Sequence, residues 1–433
     1  MDPTDFSVDT LGEATIDSPI RGMNFLAPNH HVCFFSDPEK IAALIERGIP
    51  PPSFTSAGAR KKIFHDPSWT RAAIVTCGGL CPGLNDVIKA LVTTLWYCYG
   101  VKNILGIRYG YRGLNPEYKL KPMELNPDIV DAIHSEGGSI LGSSRGQQDT
   151  DTIVRTLERF NINMLFTIGG DGTQRATREI AEAAQQKGLG ISVIGIPKTI
   201  DNDLNFMERT FGFETAVYAA EPVIECAHNE AKGAYNGIGL VRLMGRDAGF
   251  IAASATLANS VVNFCLIPEV PFRLEGDDGL LAALKRRLLL KHHAVVAVAE
   301  GAGQEFFDAE GHAVDGSGNK LHKDIGPFLK DHFSTYLTSE NIDHTVKYFD
   351  PSYQIRSVAA RGTDAIFCLH LAQNAVHCAM AGMTNIVIGY WHGHFTCVPI
   401  ALAVRSRRTI DPHGQLWQSV LGATRQMHYF NPA

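Results

Sequence analysis

Met164-Leu165-Phe166-Thr167-Ile168-Gly169-Gly170-Asp171-Gly172-Thr173 is an apolar run closed by glycines, and a helical pattern follows it from Arg175. Apolar residues in an unbroken run, without alternation, predict a strand buried on both faces. The design recurs along the chain. Ala72-Ala73-Ile74-Val75 ends in Gly78-Gly79 and precedes Leu84, Val87, Ile88, Leu91, Val92 and Leu95 at helical spacing. Val193-Ile194-Gly195-Ile196 ends in Pro197-Lys198-Thr199, Leu240-Val241-Arg242-Leu243 in Met244-Gly245-Arg246, and Val295-Val296-Ala297-Val298 in Glu300-Gly301. Strands alternating with helices predict right-handed crossovers and an α/β fold of doubly wound, mostly parallel sheets. Ligands bind beyond the carboxyl ends of such strands, and each polar cluster falls at one.

Composition narrows the function classes. The chain has 433 residues, 39 Lys+Arg against 45 Asp+Glu, a net charge of −6 and 45% hydrophobic residues. That balance excludes wholesale disorder and a strongly basic nucleic-acid binder. The most apolar stretch, Ile251 to Leu266, is interrupted by Ser254, Asn259, Ser260 and Asn263, so no membrane span of ~18 residues is expected. Asp2 and Asp5 without an apolar segment predict no secretory signal. Nine scattered cysteines fit free thiols in a reducing compartment, which points to the cytoplasm.

Residues 1–70 hold 8 of the 21 prolines and little periodicity beyond Ile41–Ile45, and read as an extension that wraps or tethers. Lys285-Arg286-Arg287 and Arg405-Ser406-Arg407-Arg408 read most simply as solvated faces. Cys77 and Cys81 lack a second pair, and the histidine pairs lack a third ligand, so no zinc site is expected.

Four clusters remain as chemistry. Gly78-Gly79 joins a strand to a helix and lets backbone N–H groups approach an anion. Asp171, alone among glycines, either caps the next helix or holds Mg²⁺ against a phosphate, and the residues leave both readings open. Lys198-Thr199-Ile200-Asp201-Asn202-Asp203 sets two carboxylates beside a hydroxyl and an ammonium, suited to taking a proton from a substrate alcohol. Arg145 and Arg246, each in a small-residue turn, supply guanidinium forks that match phosphate oxygens.

In order, TCGGLCPGLN (76–85), GYRGL (110–114), LGSSRG (141–146), IGGDGT (168–173), PKTIDND (197–203), MGRDAG (244–249) and DPSYQIR (350–356) resemble the phosphofructokinase family from about residue 71 to about 420. The likeness is to the ATP-dependent branch of trypanosomatids and plants, which also carries an N-terminal extension. It implies two doubly wound lobes with the site between them. One lobe would take 71–212 plus about 355–405, the other 213–354 plus about 406–433, after the extension 1–70.

The resemblance also implies roles, residue by residue. Asp201 would take the proton of the sugar 1-hydroxyl, with Thr199 orienting the sugar and Asp203, in the same loop, helping to hold metal or substrate. Asp171 would organise Mg²⁺ on the donor phosphates. Gly79, Tyr111, Arg145, Gly172 and Thr173 would line the nucleotide site, and Lys198 would place a charge near the donor. Arg246 would stabilise the transferred group. Met244, Gly245, Glu300, Tyr353 and Arg356 would hold fructose 6-phosphate, with Lys347 reaching in from a neighbouring subunit of a homo-oligomer, a tetramer by resemblance. The implied enzyme is an allosterically controlled, cytoplasmic 6-phosphofructokinase of glycolysis that uses ATP and Mg²⁺ and binds neither nucleic acid nor membrane.

Four positions depart from bacterial relatives. Tyr353 and Lys347 stand for His and Arg, Gly237 stands where an arginine would fall, and Lys198 replaces glycine, as in pyrophosphate users. Pyrophosphate users carry Asp at position 172, where its bulk would exclude an α-phosphate; Gly172 leaves the space open and points to ATP. The alternatives are a pyrophosphate-dependent enzyme and a non-catalytic sensor of sugar phosphate or nucleotide.

Overall fold

The computed structural model describes residues 3–307 and 321–430; residues 1–2, 308–320 and 431–433, in the expected extension and second lobe, lie outside them. The chain divides into two compact units. The first takes residues up to Thr199, Leu204–Gly212 and Ser357–Arg407; the second takes Ile200–Asp203, Phe213–Arg356 and the chain from Arg408.

The main elements of the first unit begin with β1 (His31–Cys33), α1 (Pro38–Glu46), β2 (Ser53–Ser56), β3 (Arg71–Thr76), α2 (Leu84–Thr93), β4 (Asn103–Ile107) and β5 (Met123–Glu124), after a short helix Pro3–Phe6 and two-residue strands at Asp9–Thr10 and Ile16–Asp17. It continues through α3 (Thr150–Arg159), β6 (Met164–Gly169), α4 (Asp171–Gln186) and β7 (Ser192–Pro197). The second unit follows with α5 (Phe213–Gly233), β8 (Gly237–Leu243), α6 (Phe250–Asn259), β9 (Phe264–Leu266), α7 (Leu280–Lys291), β10 (His293–Ala299), α8 (Ile325–Ser339) and β11 (Thr345–Phe349). The chain returns to the first unit with α9 (Gly362–Met380), β12 (Ile386–Trp391), β13 (His394–Pro399) and α10 (Ile400–Ala403). It ends in the second with α11 (Gln415–Thr424) and α12 (Met427–Phe430).

The first unit's sheet has nine strands in the order β1-β2-β13-β12-β7-β6-β3-β4-β5. Its centre, β12-β7-β6-β3-β4, is parallel throughout. All six residues of β6 and of β7 are buried, the reason these strands read as unbroken apolar runs. The second unit carries a four-stranded parallel sheet, β9-β10-β8-β11, packed around its own core of Leu240, Phe264, Val296 and Phe333.

Helix α4 starts earlier than the periodicity from Arg175 indicates. Gly170 is its N-cap in extended backbone, and Asp171 is its first helical residue. An acidic group there faces the positive end of the helix dipole, which favours the early start. Ala176, Ile180, Ala181 and Ala184 bury one face against the sheet core.

The N-terminal segment does more than tether. β2 pairs antiparallel with β13 and carries β1 on its other edge, so the segment widens the main sheet. Pro50-Pro51-Pro52 ends just before β2, where missing N–H donors cost no ladder bonds. Phe54 of β2 is fully buried, its ring 5.7 Å from Phe206, and Phe34 stacks on Trp391 at 5.4 Å. This aromatic cluster backs the segment Leu204–Met207, directly after the two-carboxylate loop.

The two cationic runs are not simple solvated faces either. Arg286 donates to the Tyr429 carbonyl at 2.7 Å, Arg287 to the Tyr429 hydroxyl at 2.9 Å, and Lys285 pairs with Glu340 at 2.7 Å. They pin α12 and α8 to α7. In the other run, Arg405 pairs with Asp5 at 2.9 Å and Arg408 lies 4.8 Å from the Phe250 ring centre. Among the described residues, no helix is long and apolar enough to cross a membrane.

Two buried histidines give the first unit a pH signature. His65 meets the Ser192 hydroxyl at 2.9 Å and His377 the Tyr99 hydroxyl at 2.8 Å, and burial lowers each to about 4. The folded state resists protonating them, whereas the unfolded chain takes protons near pH 6.5. Stability should therefore fall as the pH drops from about 6.5 toward 4, by up to ~1.4 kcal/mol per pH unit for each histidine. Urea unfolding between pH 6.5 and 5.5, above the range of ordinary carboxylates, measures this; a flat profile there would contradict it.

Candidate active site

In the first unit the implied donor residues gather beyond the carboxyl ends of β3, β6 and β7. Lys198, just past β7 and only 6% exposed, donates from Nζ to the Gly79 carbonyl at 2.7 Å. Its backbone N–H bonds to the Gly169 carbonyl at 3.0 Å. Gln174 Nε2 reaches the carbonyls of Gly169 at 2.9 Å and Ile196 at 3.3 Å, clamping the ends of β6 and β7 together. Ser143 Oγ donates to the Gly78 carbonyl at 2.6 Å, and the Gly78 N–H to the Ser144 carbonyl at 3.0 Å. That places the loop bearing the exposed Arg145 beside the Gly78-Gly79 turn.

A Cβ added at Gly172 would meet nothing within 4 Å. The N-terminus of α4 is therefore open at the position where the resemblance places the choice between a nucleotide and a smaller donor. Thr173 is buried, and its carbonyl accepts the Tyr111 hydroxyl at 3.2 Å; Thr177 Oγ1 lies 3.1 Å from that hydroxyl. Tyr111 itself belongs to the core beneath α4, so it supports the site from behind. Cys77 lies in the same core, and burial pushes its thiol up to about 12, against smaller effects of the Tyr111 backbone and Lys198. It stays a neutral thiol at physiological pH.

Asp171 carries the carboxylate at the start of α4. Its Oδ2 lies 3.1 Å from Arg175 and 3.6 Å from Arg407. Among the described residues no group of three His, Cys, Asp or Glu side chains could hold a metal alone. One carboxylate at a helix N-terminus, with room for phosphates beside it, suits Mg²⁺, which keeps waters and binds through one or two carboxylates plus substrate phosphates. The residues present fit that ion.

The chain leaves the first unit inside the two-carboxylate loop. Thr199 is buried, and its carbonyl accepts the Thr210 hydroxyl at 2.7 Å. Ile200–Asp203 cluster with the second unit, where the Asp203 carbonyl accepts the Arg408 N–H at 2.8 Å. Asn202, between Asp201 and Asp203, has φ +54°, a left-handed turn that asparagine tolerates.

In the second unit Met244 and Arg246 follow β8, Glu300 follows β10, and Tyr353 and Arg356 follow β11. Arg246 sits at φ +53°, an uncommon conformation for arginine, and its N–H bonds to Glu300 Oε1 at 2.9 Å. Glycine is required around it: a Cβ on Gly301 would lie 2.0 Å from the Arg246 carbonyl, and one on Gly245 2.3 Å from that of Ala248. Tyr353 is 75% exposed, with the Arg356 guanidinium 4.7 Å from its ring centre. Arg356 Nε is buried without a hydrogen-bond partner, a donor suited to an anionic ligand.

Arg242 is the residue the sequence did not single out. It donates to Glu300 Oε2 at 3.0 Å, Asp350 Oδ2 at 3.0 Å and Ser352 Oγ at 3.2 Å, and lies 3.3 Å from Asp324 Oδ1. Burial opposes its charge, yet Glu300, Asp350 and Asp324 together raise its hold on the proton. One guanidinium thus ties together the ends of β10 and β11 and the N-cap of α8. Only its distant partners reveal this role.

Lys347 is not brought to this group. It pairs with Glu230 and sits opposite Gly239 on β8, four residues short of Leu243, roughly 13 Å back along the strand. Gly237 starts β8, where a Cβ would lie 2.2 Å from the Ala231 carbonyl, so no larger side chain fits there.

Comparison with known proteins decides the family. The family profile described as "Phosphofructokinase" matches residues 71–379. The chain belongs to the phosphofructokinase family. An "ATP-dependent 6-phosphofructokinase" of Borreliella burgdorferi is 48% identical over 98% of this chain and 97% of its own length. A protein of the same name from Trypanosoma brucei brucei is 47% identical over 84% of this chain and 74% of its own. A solved pyrophosphate-dependent phosphofructokinase from Marinobacter aquaeolei matches with TM-score 0.68 and 20% identity, covering 82% of this chain and 91% of that one. At that identity it establishes the phosphofructokinase fold alone.

Replacing Arg242 by Met leaves three carboxylates without their counter-ion, and should lower stability by roughly 2–3 kcal/mol. Urea denaturation reads it, and Lys at the same position should recover part of the loss. An unchanged midpoint in the Met variant would show that the cluster holds nothing in place.

Proposed function

We propose that this chain transfers the γ-phosphoryl group of ATP to the 1-hydroxyl of fructose 6-phosphate, giving fructose 1,6-bisphosphate and ADP, a step of glycolysis. One observation carries the reading above the others: relatives named ATP-dependent 6-phosphofructokinase run the length of this chain at 46–48% identity. The open space at Gly172 supports ATP over pyrophosphate as donor.

In this reading Asp201 accepts the proton of the sugar 1-hydroxyl as its oxygen bonds to the γ-phosphorus. Thr199 orients the sugar, and Asp203 helps hold metal or substrate. The bond from the γ-phosphorus to the bridging oxygen breaks, and ADP leaves. Arg246 faces the charge that builds on the transferred group. Lys198, Arg145, Gly79 and the open end of α4 at Gly172 and Thr173 receive the donor phosphates. Asp171 would hold Mg²⁺, which supplies charge neutralisation on those phosphates when bound. Met244, Gly245, Glu300, Tyr353 and Arg356 hold the sugar phosphate; the partnerless Arg356 Nε supports its place there.

Lys347, set back along β11, serves a neighbouring copy in this reading, which makes the protein a homo-oligomer, a tetramer by family likeness. Nine free thiols suit a cytoplasmic setting.

Replacing Asp201 by Ser should lower kcat by about 10²–10⁴-fold, the usual worth of a positioned base, while fructose 6-phosphate binding stays measurable. Unchanged turnover would remove Asp201 from the chemistry. Gly172→Asp places its side chain in open space at a helix start that welcomes acid, so the fold should hold. ATP-dependent turnover should be lost, and an unaltered KM for ATP would refute the donor assignment.

A further inference from the structure

Arg407 lies in a run that reads as solvated charge, yet its side chain is only 26% exposed and stands 3.6 Å from the carboxylate that starts α4. Its backbone is fixed by an antiparallel bridge to Leu204, and the adjacent Ser406 accepts from Asn205 Nδ2 at 2.7 Å. The guanidinium is thus anchored by the segment that follows the two-carboxylate loop, outside α4 altogether. Arg175, the other cation on Asp171, lies on α4 one turn along and is 57% exposed, so solvent screens it more.

A carboxylate beside an open helix N-terminus presents a conflict. It attracts a metal ion but repels a donor phosphate arriving without one. A guanidinium occupied with the carboxylate opposes the metal, and released from it carries five donors suited to phosphate oxygens. We propose that Arg407 is a positioning residue for the donor phosphates. Without metal it neutralises Asp171, so that a donor phosphate can settle beside that carboxylate; with the carboxylate on a metal ion, the guanidinium is no longer needed for this. This deepens the proposed function and rests on it.

Calorimetric titration of the full chain with ATP, once with excess Mg²⁺ and once with EDTA, tests this. Without metal, only cationic side chains offset the Asp171 charge against the phosphates. Arg407→Gln should weaken metal-free ATP binding by about tenfold or more, the scale of a lost charge-assisted hydrogen bond. With Mg²⁺ the loss should be no more than about threefold, since the ion then neutralises the carboxylate. Arg407→Lys keeps the charge without the fork and should fall between the two; it also serves if the Gln variant melts early. Arg175→Gln should change both affinities by less than about twofold. Equal weakening with and without metal would make Arg407 merely structural, and unchanged affinities would remove it from the site; either overturns the proposal. A wild-type chain that binds no ATP under either condition would instead refute the proposed function.

Discussion

Parallel strands joined by crossovers all point the same way, so the parallel part of each sheet has one edge where its strands end and a helix or loop begins. That constraint places the candidate site residues here. In the first unit β3, β6 and β7 deliver Gly78-Gly79, the start of α4 and Lys198-Thr199 to one edge. In the second, β8, β10 and β11 deliver Arg246, Glu300, Tyr353 and Arg356. Residues 121 positions apart in the first group (Gly78 to Thr199) and 110 apart in the second (Arg246 to Arg356) are gathered within each group because register, not sequence distance, decides where a strand stops.

Charge must then be managed at those edges. In the second unit Arg242 balances Glu300, Asp324 and Asp350, and Glu300 in turn fixes the strained backbone of Arg246. In the first, Lys198 is held against a carbonyl, while Asp171 is balanced by guanidinium groups. Both arrangements keep ionised groups in place before any ligand arrives, which is the preorganisation that phosphoryl transfer requires.

The strands that end in glycine were legible because burial on both faces leaves unbroken apolar runs, as in β6 and β7. The series of glycine turns between them carried the family likeness. The strands β1 and β2 were not legible: they are short, lie among prolines, and owe their existence to β13, more than 300 residues away. The start of α4 was misplaced because Gly172 and Thr173 resemble a turn, whereas the dipole and Asp171 favour helix from there. Arg242 and Arg407 were missed for a simpler reason. A charged residue shows its role only through partners, and theirs lie 58 to 236 positions away.

The central claim is that an ATP-using phosphofructokinase is built from these two groups of residues. Its most direct test is phosphorus NMR of the purified protein with fructose 6-phosphate and Mg²⁺, supplied in parallel with ATP or with pyrophosphate. The account predicts fructose 1,6-bisphosphate and ADP from ATP, and no bisphosphate from pyrophosphate. Bisphosphate formed from pyrophosphate, with ATP left intact, would contradict it.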